Sequence, residues 1–67
     1  MNNQLSDEHL LVSALISYSK PFGIPIVQRL TGWGYERSRL TIERLESKGV
    51  VDNCTDEGEW ILIRNDH

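Results

Sequence analysis

Apolar residues recur at helical spacing in three segments of the chain, and two β-rich apolar pieces follow them. In the first segment, HLLVSALISYSK, apolar side chains three and four residues apart predict a helix from about Asp7 to Ser19. Ser6 is the predicted N-cap, and Asp7 and Glu8 suit the positive end of the helix dipole. The KPFG stretch then ends the helix, because proline cannot continue the hydrogen-bond ladder.

The second and third helices are separated by the short stretch TGWGY. Pro25 suits the first turn of a two-turn helix, and Gly32 suits its C-terminal end. A longer helix follows from about Glu36 and ends before Gly49. Gly34 is expected to allow the turn between the two helices. The predicted core-facing positions of the third helix are Ser38, Ile42 and Leu45, with Thr41 beside them and Tyr35 near one end.

The C-terminal part of the chain has the pattern of a β-hairpin. VVDN and EWILI are rich in β-formers, and the turn-forming stretch CTDEG separates them. The order helix, short helix, helix, hairpin predicts an α+β fold, a small winged helix-turn-helix with three helices followed by a β-hairpin wing. We expect one domain over residues 1–67, with a flexible lead-in over 1–5, the helix-turn-helix over 25–48 and the wing over 50–63.

Length and composition narrow the function classes. The chain has 67 residues and a formal net charge of −3, which weighs against indiscriminate binding to nucleic acid. No apolar run approaches the length of a membrane span, and the N-terminus lacks the pattern of a secretion signal. The one cysteine, Cys54, cannot form an internal disulfide, which favours the cytoplasm.

Residues that could support catalysis are sparse. The sequence has no glycine-rich phosphate loop, and His9 and His67 lie at opposite ends of the chain. The acidic residues of the hairpin lack the spacing of a calcium loop, and the serines have no evident histidine partner. We therefore predict no enzyme activity, no cofactor, no metal ion and no small-molecule substrate.

The third helix carries most of the functional information. At about 100° per residue, the face opposite the core stripe holds Glu36, Leu40, Glu43, Arg44 and Ser47. Arg37 and Arg39 lie on the two flanks, and Arg29 and Lys48 are placed for further contacts. In a helix-turn-helix, such a face enters the major groove of duplex DNA, where flanking arginines hold phosphates. The predicted DNA-binding residues are Arg29, Tyr35, Glu36, Arg37, Arg39, Leu40, Glu43 and Arg44.

A protein partner is the alternative for the same face. Glutamate is repelled by phosphates, an exposed leucine is typical of protein contacts, and the hairpin tip is acidic. This hypothesis centres the contact on Leu40, with another protein or a second copy as the partner. Two aromatic residues are expected to pack in the core or hairpin rather than on bases, Trp33 and Trp60.

The stretch IPIVQRLTGWGYERSRLTIERLESKGVV resembles the winged-helix gamma domain at the C-terminus of FtsK-type bacterial DNA translocases. The resemblance covers about Ile24 to Val51, and the wing only loosely through Gly58 and the apolar strand after it. The resembling positions are Ile24, Val27, Gln28, Arg29, Gly34, Tyr35, Arg37, Ile42, Glu43, Glu46, Gly49, Val50 and Val51.

The resemblance implies a winged helix that recognises short DNA sequences through its recognition helix. Of the family's three reading positions, Glu43 matches, whereas Glu36 and Leu40 replace an asparagine and an arginine. This departure implies either a different DNA sequence or a different kind of partner. The motor is absent from this chain, so the resemblance implies a stand-alone DNA-binding or adaptor module, such as those found among phage and prophage regulators.

Overall fold

The computed structural model describes residues 4–63, with side chains from residue 6 onward, and it confirms the predicted α+β architecture. The helices are α1 (Gln4–Ile16), α2 (Ile24–Thr31) and α3 (Tyr35–Ser47), and the strands are β1 (Val51–Asn53) and β2 (Trp60–Leu62). The fold is a small winged helix-turn-helix, in which α2 and α3 form the helix-turn-helix and the hairpin forms the wing.

The bounds of α1 differ from the prediction at both ends. The helix already begins at Gln4, so Ser6 lies inside it and is not its N-cap. Glutamine and leucine are good helix formers, which lets the helix start before the serine. The expected lead-in is therefore wrong for residues 4 and 5, and residues 1–3 lie outside the described residues. At the other end, α1 ends at Ile16 rather than near Ser19. The Tyr18 N–H donates to the Leu15 carbonyl, three residues earlier, at 2.9 Å, so the chain leaves the helix through a turn of the 3₁₀ type.

The turn between α2 and α3 depends on Gly32 rather than on Gly34. Gly32 has a φ of 80° and donates its N–H to the Gln28 carbonyl at 2.7 Å, which caps α2. Gly34 has a φ of −74° and a ψ of 174°, an extended conformation that any residue adopts, and it is the N-cap of α3. Thr31 closes α2 further, because its hydroxyl donates to the Val27 carbonyl and accepts from the Trp33 N–H.

The wing is a two-stranded antiparallel hairpin that pairs Val51 with Leu62 and Asn53 with Trp60. A contact that was not predicted ties it to the chain between α1 and α2. Phe22 and Trp60 exchange two backbone hydrogen bonds of 2.8 and 2.7 Å, so the KPFG stretch is a bridge to β2 as well as a helix break. The wing is therefore fastened to the helical part of the molecule on its β2 side.

One hydrophobic core lies between the three helices and the hairpin. The buried apolar side chains of the described residues are Leu11, Leu15, Phe22, Val27, Ile42, Leu45 and Val51. Burial of a leucine, isoleucine or phenylalanine side chain contributes about 1.5–3 kcal/mol. Ser38 and Thr41 are also buried, and their hydroxyls donate to the carbonyls of Gly34 and Arg37, four residues earlier. The predicted core stripe of α3 is thus confirmed.

Candidate nucleic-acid interface

The face of α3 that points away from the core carries the predicted outward residues. Glu36, Leu40, Glu43 and Ser47 are all exposed, and Leu40 is 40% accessible. This arrangement follows directly from helical periodicity, because these positions lie opposite the buried stripe. The face combines two carboxylates, a hydroxyl and an isolated large apolar side chain.

Arg39 is held on this face by two carboxylates. Its Nη2 donates to Glu36 Oε2 at 2.7 Å, and its Nη1 donates to Glu43 Oε2 at 2.6 Å. These are pairs three and four residues apart on one helix, the spacing at which side chains meet. The hydrogen bond with Glu36, followed by that with Glu43, raises the pKa of Arg39 above its ordinary range. The three groups together carry one net negative charge.

Arg37 lies on the opposite flank of α3 and is paired with α1. Its Nε and Nη2 donate to the two Asp7 carboxylate oxygens at 3.1 and 2.7 Å, a bidentate pair. The guanidinium also lies over the Trp33 ring, 4.7 Å from its centroid. The Asp7 side chain is only 12% exposed, whereas that of Arg37 is 53% exposed. The hydrogen bond from Arg37 lowers the pKa of Asp7, although partial burial opposes it.

Arg44 was predicted on the outward face, but it turns toward α1. Its Nε donates to Glu8 Oε2 at 3.0 Å, while Lys48 Nζ donates to Glu8 Oε1 at 2.7 Å. The Glu8 side chain is 6% exposed, and the bonds from Lys48 and then Arg44 outweigh burial and lower its pKa. One stripe of the helix brings three cations to α1, because Arg44 follows Arg37 by seven residues and Lys48 follows Arg44 by four.

The acidic partners Asp7 and Glu8 were not identified as such from the sequence. They were assigned to the helix dipole, although the signal for a tertiary contact was present. Asp7 is four residues before Leu11, and Leu11 is four before Leu15, so Asp7 extends the buried stripe of α1. A carboxylate on that stripe requires a cationic partner from a neighbouring helix.

Tyr35 and Arg29 complete the set of predicted contacts. Tyr35 was predicted both as a DNA contact and as core packing at the start of α3. It is 57% exposed and lines a cleft of about 470 Å³ between α2 and the wing tip, so the core expectation is wrong. As the first residue of α3, it lies beyond the buried turns of the helix. Arg29 is exposed on α2 and makes no salt bridge with the described residues. Trp33 and Trp60 pack against the core, as predicted.

The wing tip is organised by one threonine and carries free acidic groups. Thr55 Oγ1 accepts from the backbone N–H groups of Glu57 and Glu59 at 3.3 and 3.2 Å. Gly58 follows with a φ of 80°, which completes the turn. Neither glutamate is paired with a cation in the part of the chain that the structure describes. The tip therefore presents negative charge beside the cleft.

Comparison of the chain with protein-family models, with curated proteins and with solved structures gave no match. Within residues 4–63, no helix combines the length and the apolar character needed to cross a bilayer. Over the same residues, no three histidine, cysteine, aspartate or glutamate side chains are grouped to hold a metal ion.

Proposed function

We propose that this protein is a non-enzymatic DNA-binding module that inserts α3 into the major groove of duplex DNA. The observation that carries the proposal is the exposed outer face of α3 within a winged helix-turn-helix. In this architecture, the second helix of the helix-turn-helix is the element that reaches base edges. The resemblance of residues 24–51 to the gamma domain of FtsK-type translocases supports the same role. A cytoplasmic regulator of the phage or prophage type is the setting that fits it.

The ion pairs of α3 determine how phosphates would be held. Of the basic residues in the described part, Arg29 and Lys20 lack a salt bridge, whereas four on or beside α3 have one. Arg37 nevertheless retains its Nη1 group, which makes no hydrogen bond to the described residues, and Lys48 is half exposed. Phosphate contacts would therefore come from Arg29, Arg37 and Lys48. Binding to arbitrary DNA would be weak, because few phosphates are neutralised.

Fluorescence anisotropy with a random-sequence duplex pool tests the proposal. We expect binding at low salt, about 20 mM, that weakens steeply by about 200 mM as released counterions are replaced. Arg29→Ala should weaken binding and reduce the slope of log K against log salt by about 1. Lys20→Ala is the control, because it removes the same charge from the loop between α1 and α2, outside the helix-turn-helix. Absence of salt-dependent binding by the wild-type protein would overturn the proposal.

A protein-interaction role for the same face is the second candidate. Leu40 is exposed between Glu36 and Glu43, and the cations of α3 are already paired within the chain. An exposed leucine in such a setting is typical of a contact with a protein. Sedimentation of the purified protein tests self-association through this face. Leu40→Glu should dissociate such a complex, whereas Leu30→Glu, on an equally exposed leucine of α2, should not.

A further inference from the structure

The three cations on one flank of α3 and the single cation on the other have different kinds of partner. Arg37, Arg44 and Lys48 are bound by carboxylates of α1, at the edge of the molecule's core. Arg39 is bound by Glu36 and Glu43, which belong to the exposed face of α3 itself. Its side chain starts on the flank, and these two bonds bring its guanidinium onto the face that would meet the groove.

The two carboxylates also restrict the orientation of the guanidinium. An arginine side chain loses rotamer freedom when it is ordered, and here much of that ordering precedes binding. Each hydrogen bond uses one N–H of an Nη group, so the Nε–H and one N–H on each Nη remain available. The two parallel bonds by which arginine recognises guanine require two N–H groups on one edge of the guanidinium, and the Nε–H with an N–H of Nη2 forms such an edge.

The charge around Arg39 distinguishes between a phosphate and a base as its ligand. A phosphate on this guanidinium would lie beside Glu36 and Glu43, and the like charges would repel. Guanine presents O6 and N7, which are neutral acceptors, so the carboxylates do not oppose it in this way. The cytosine paired with that guanine has an N4 amino group, and a carboxylate can accept a hydrogen bond from it. The environment of Arg39 therefore favours a G·C base pair over the DNA backbone.

We propose that Arg39 is the guanine-reading residue of α3, and that Glu36 and Glu43 position it. This inference rests on the DNA binding proposed above and specifies the base pair that the same face recognises. Arg39 donates to guanine O6 and N7 in the major groove. Glu36 and Glu43 act through Arg39, by holding its guanidinium and by excluding phosphate from it.

The test begins with selection of preferred sites from a randomised duplex pool at low salt, followed by measurement of Kd for the best site and its single-base variants. Replacement of the most strongly selected guanine of that site should weaken wild-type binding by about 5- to 150-fold, the discrimination expected of a bidentate arginine contact. Arg39→Ala should abolish that discrimination. Arg39→Lys should abolish it too, while keeping the charge, because an ammonium lacks the planar fork. Arg29→Ala should weaken all sites by the same factor and leave discrimination intact.

The positioning role has a separate readout. Glu43→Gln and Glu36→Gln should reduce discrimination for guanine while strengthening binding to unrelated sequences, because phosphate is then no longer excluded from Arg39. Glu46→Gln is the matched control, since Glu46 is an exposed carboxylate of α3 without a salt bridge to the described residues. It should leave discrimination unchanged.

The failures of the two proposals can be told apart. If Arg39→Ala weakens binding to every sequence by one common factor, Arg39 is a phosphate contact, and the inference is wrong while DNA binding stands. If the glutamine variants behave like Glu46→Gln, the positioning role is wrong. If the wild-type protein binds no duplex even at low salt, DNA binding is overturned and this inference with it.

Discussion

Of the two glycines on either side of Trp33, only Gly32 has a backbone conformation that favours glycine. Gly32 has a φ of 80°, a region that costs other residues about 1–2 kcal/mol, whereas Gly34 is an extended N-cap with open space around it. Serine at an N-cap accepts a hydrogen bond from the first turn of the helix. We therefore expect Gly32→Ser to lower the free energy of unfolding by about 1–2 kcal/mol. Gly34→Ser should raise it by roughly a few tenths of a kcal/mol.

Urea denaturation of the two serine variants measures both effects against the wild-type protein. Because the substitution is the same, changes in solubility or in the unfolded chain are shared by the two variants. If both variants lose stability equally, the difference between the two turn positions would be refuted.

The carboxylates of Asp7 and Glu8 make stability depend on pH. Both pKa values are lowered in the folded protein, so the stabilisation is complete above the ordinary carboxyl pKa of about 4 and is lost as the pH falls through the folded values. Wild-type stability should decline below about pH 5. The double variant Asp7→Asn/Glu8→Gln should be less stable at pH 7 and should lose less on acidification.

Denaturation curves at pH values from 7 down to 3 test this expectation. Glu57→Gln is the control for removal of an acidic charge, because Glu57 lies on the exposed wing tip without a salt bridge to the described residues. It should leave the pH dependence close to that of the wild type. If Asp7→Asn/Glu8→Gln and Glu57→Gln change the pH dependence of stability equally, the α1–α3 ion pairs do not stabilise the fold.

At the scale of elements, the attachment of the wing depends on Phe22. The residue is 1% exposed, and its backbone pairs with Trp60, so it joins the α1–α2 connection to β2. Phe22→Ala should lower the free energy of unfolding by about 3–5 kcal/mol. Ile61→Ala should cost much less, since Ile61 lies on the exposed side of β2. Tryptophan fluorescence, which reports on Trp33 and Trp60, follows the unfolding of both variants. Similar losses would indicate that the buried Phe22 side chain does not hold the wing.

Local patterns were sufficient to predict the elements, but not the contacts between them. The spacing of apolar residues and the glycines at turns and helix ends located α2, α3 and the hairpin, because each of these signals depends only on residues close together in the sequence. The bridge from Phe22 to Trp60 and the pairs of Asp7 and Glu8 with α3 join residues about 30 or more positions apart. The exposure of Tyr35 likewise depends on where α3 leaves the core. Such features follow from packing of whole elements, which periodicity along one helix does not specify.

For the whole molecule, the distribution of charge matters more than its sum. The net charge is −3, yet two sets of negative groups outside α3 have different relations to that helix. Asp7 and Glu8 bind three cations on one flank of α3, whereas Glu57 and Glu59 lie on the wing tip. Phosphates that approach α3 would compete with the first set for its cations. The second set would repel those phosphates at a distance, without competing for a cation.

Two double variants with the same change in net charge separate these effects. Glu57→Gln/Glu59→Gln should strengthen binding to any duplex modestly, through the weaker field alone. Asp7→Asn/Glu8→Gln should strengthen it more and should also steepen the dependence of log K on log salt, because each cation freed for a phosphate adds about 0.9 to the slope. Circular dichroism of the second variant must show a folded protein at the temperature of the assay. Equal affinities and equal slopes would mean that α1 does not compete with DNA, and that only net charge limits binding.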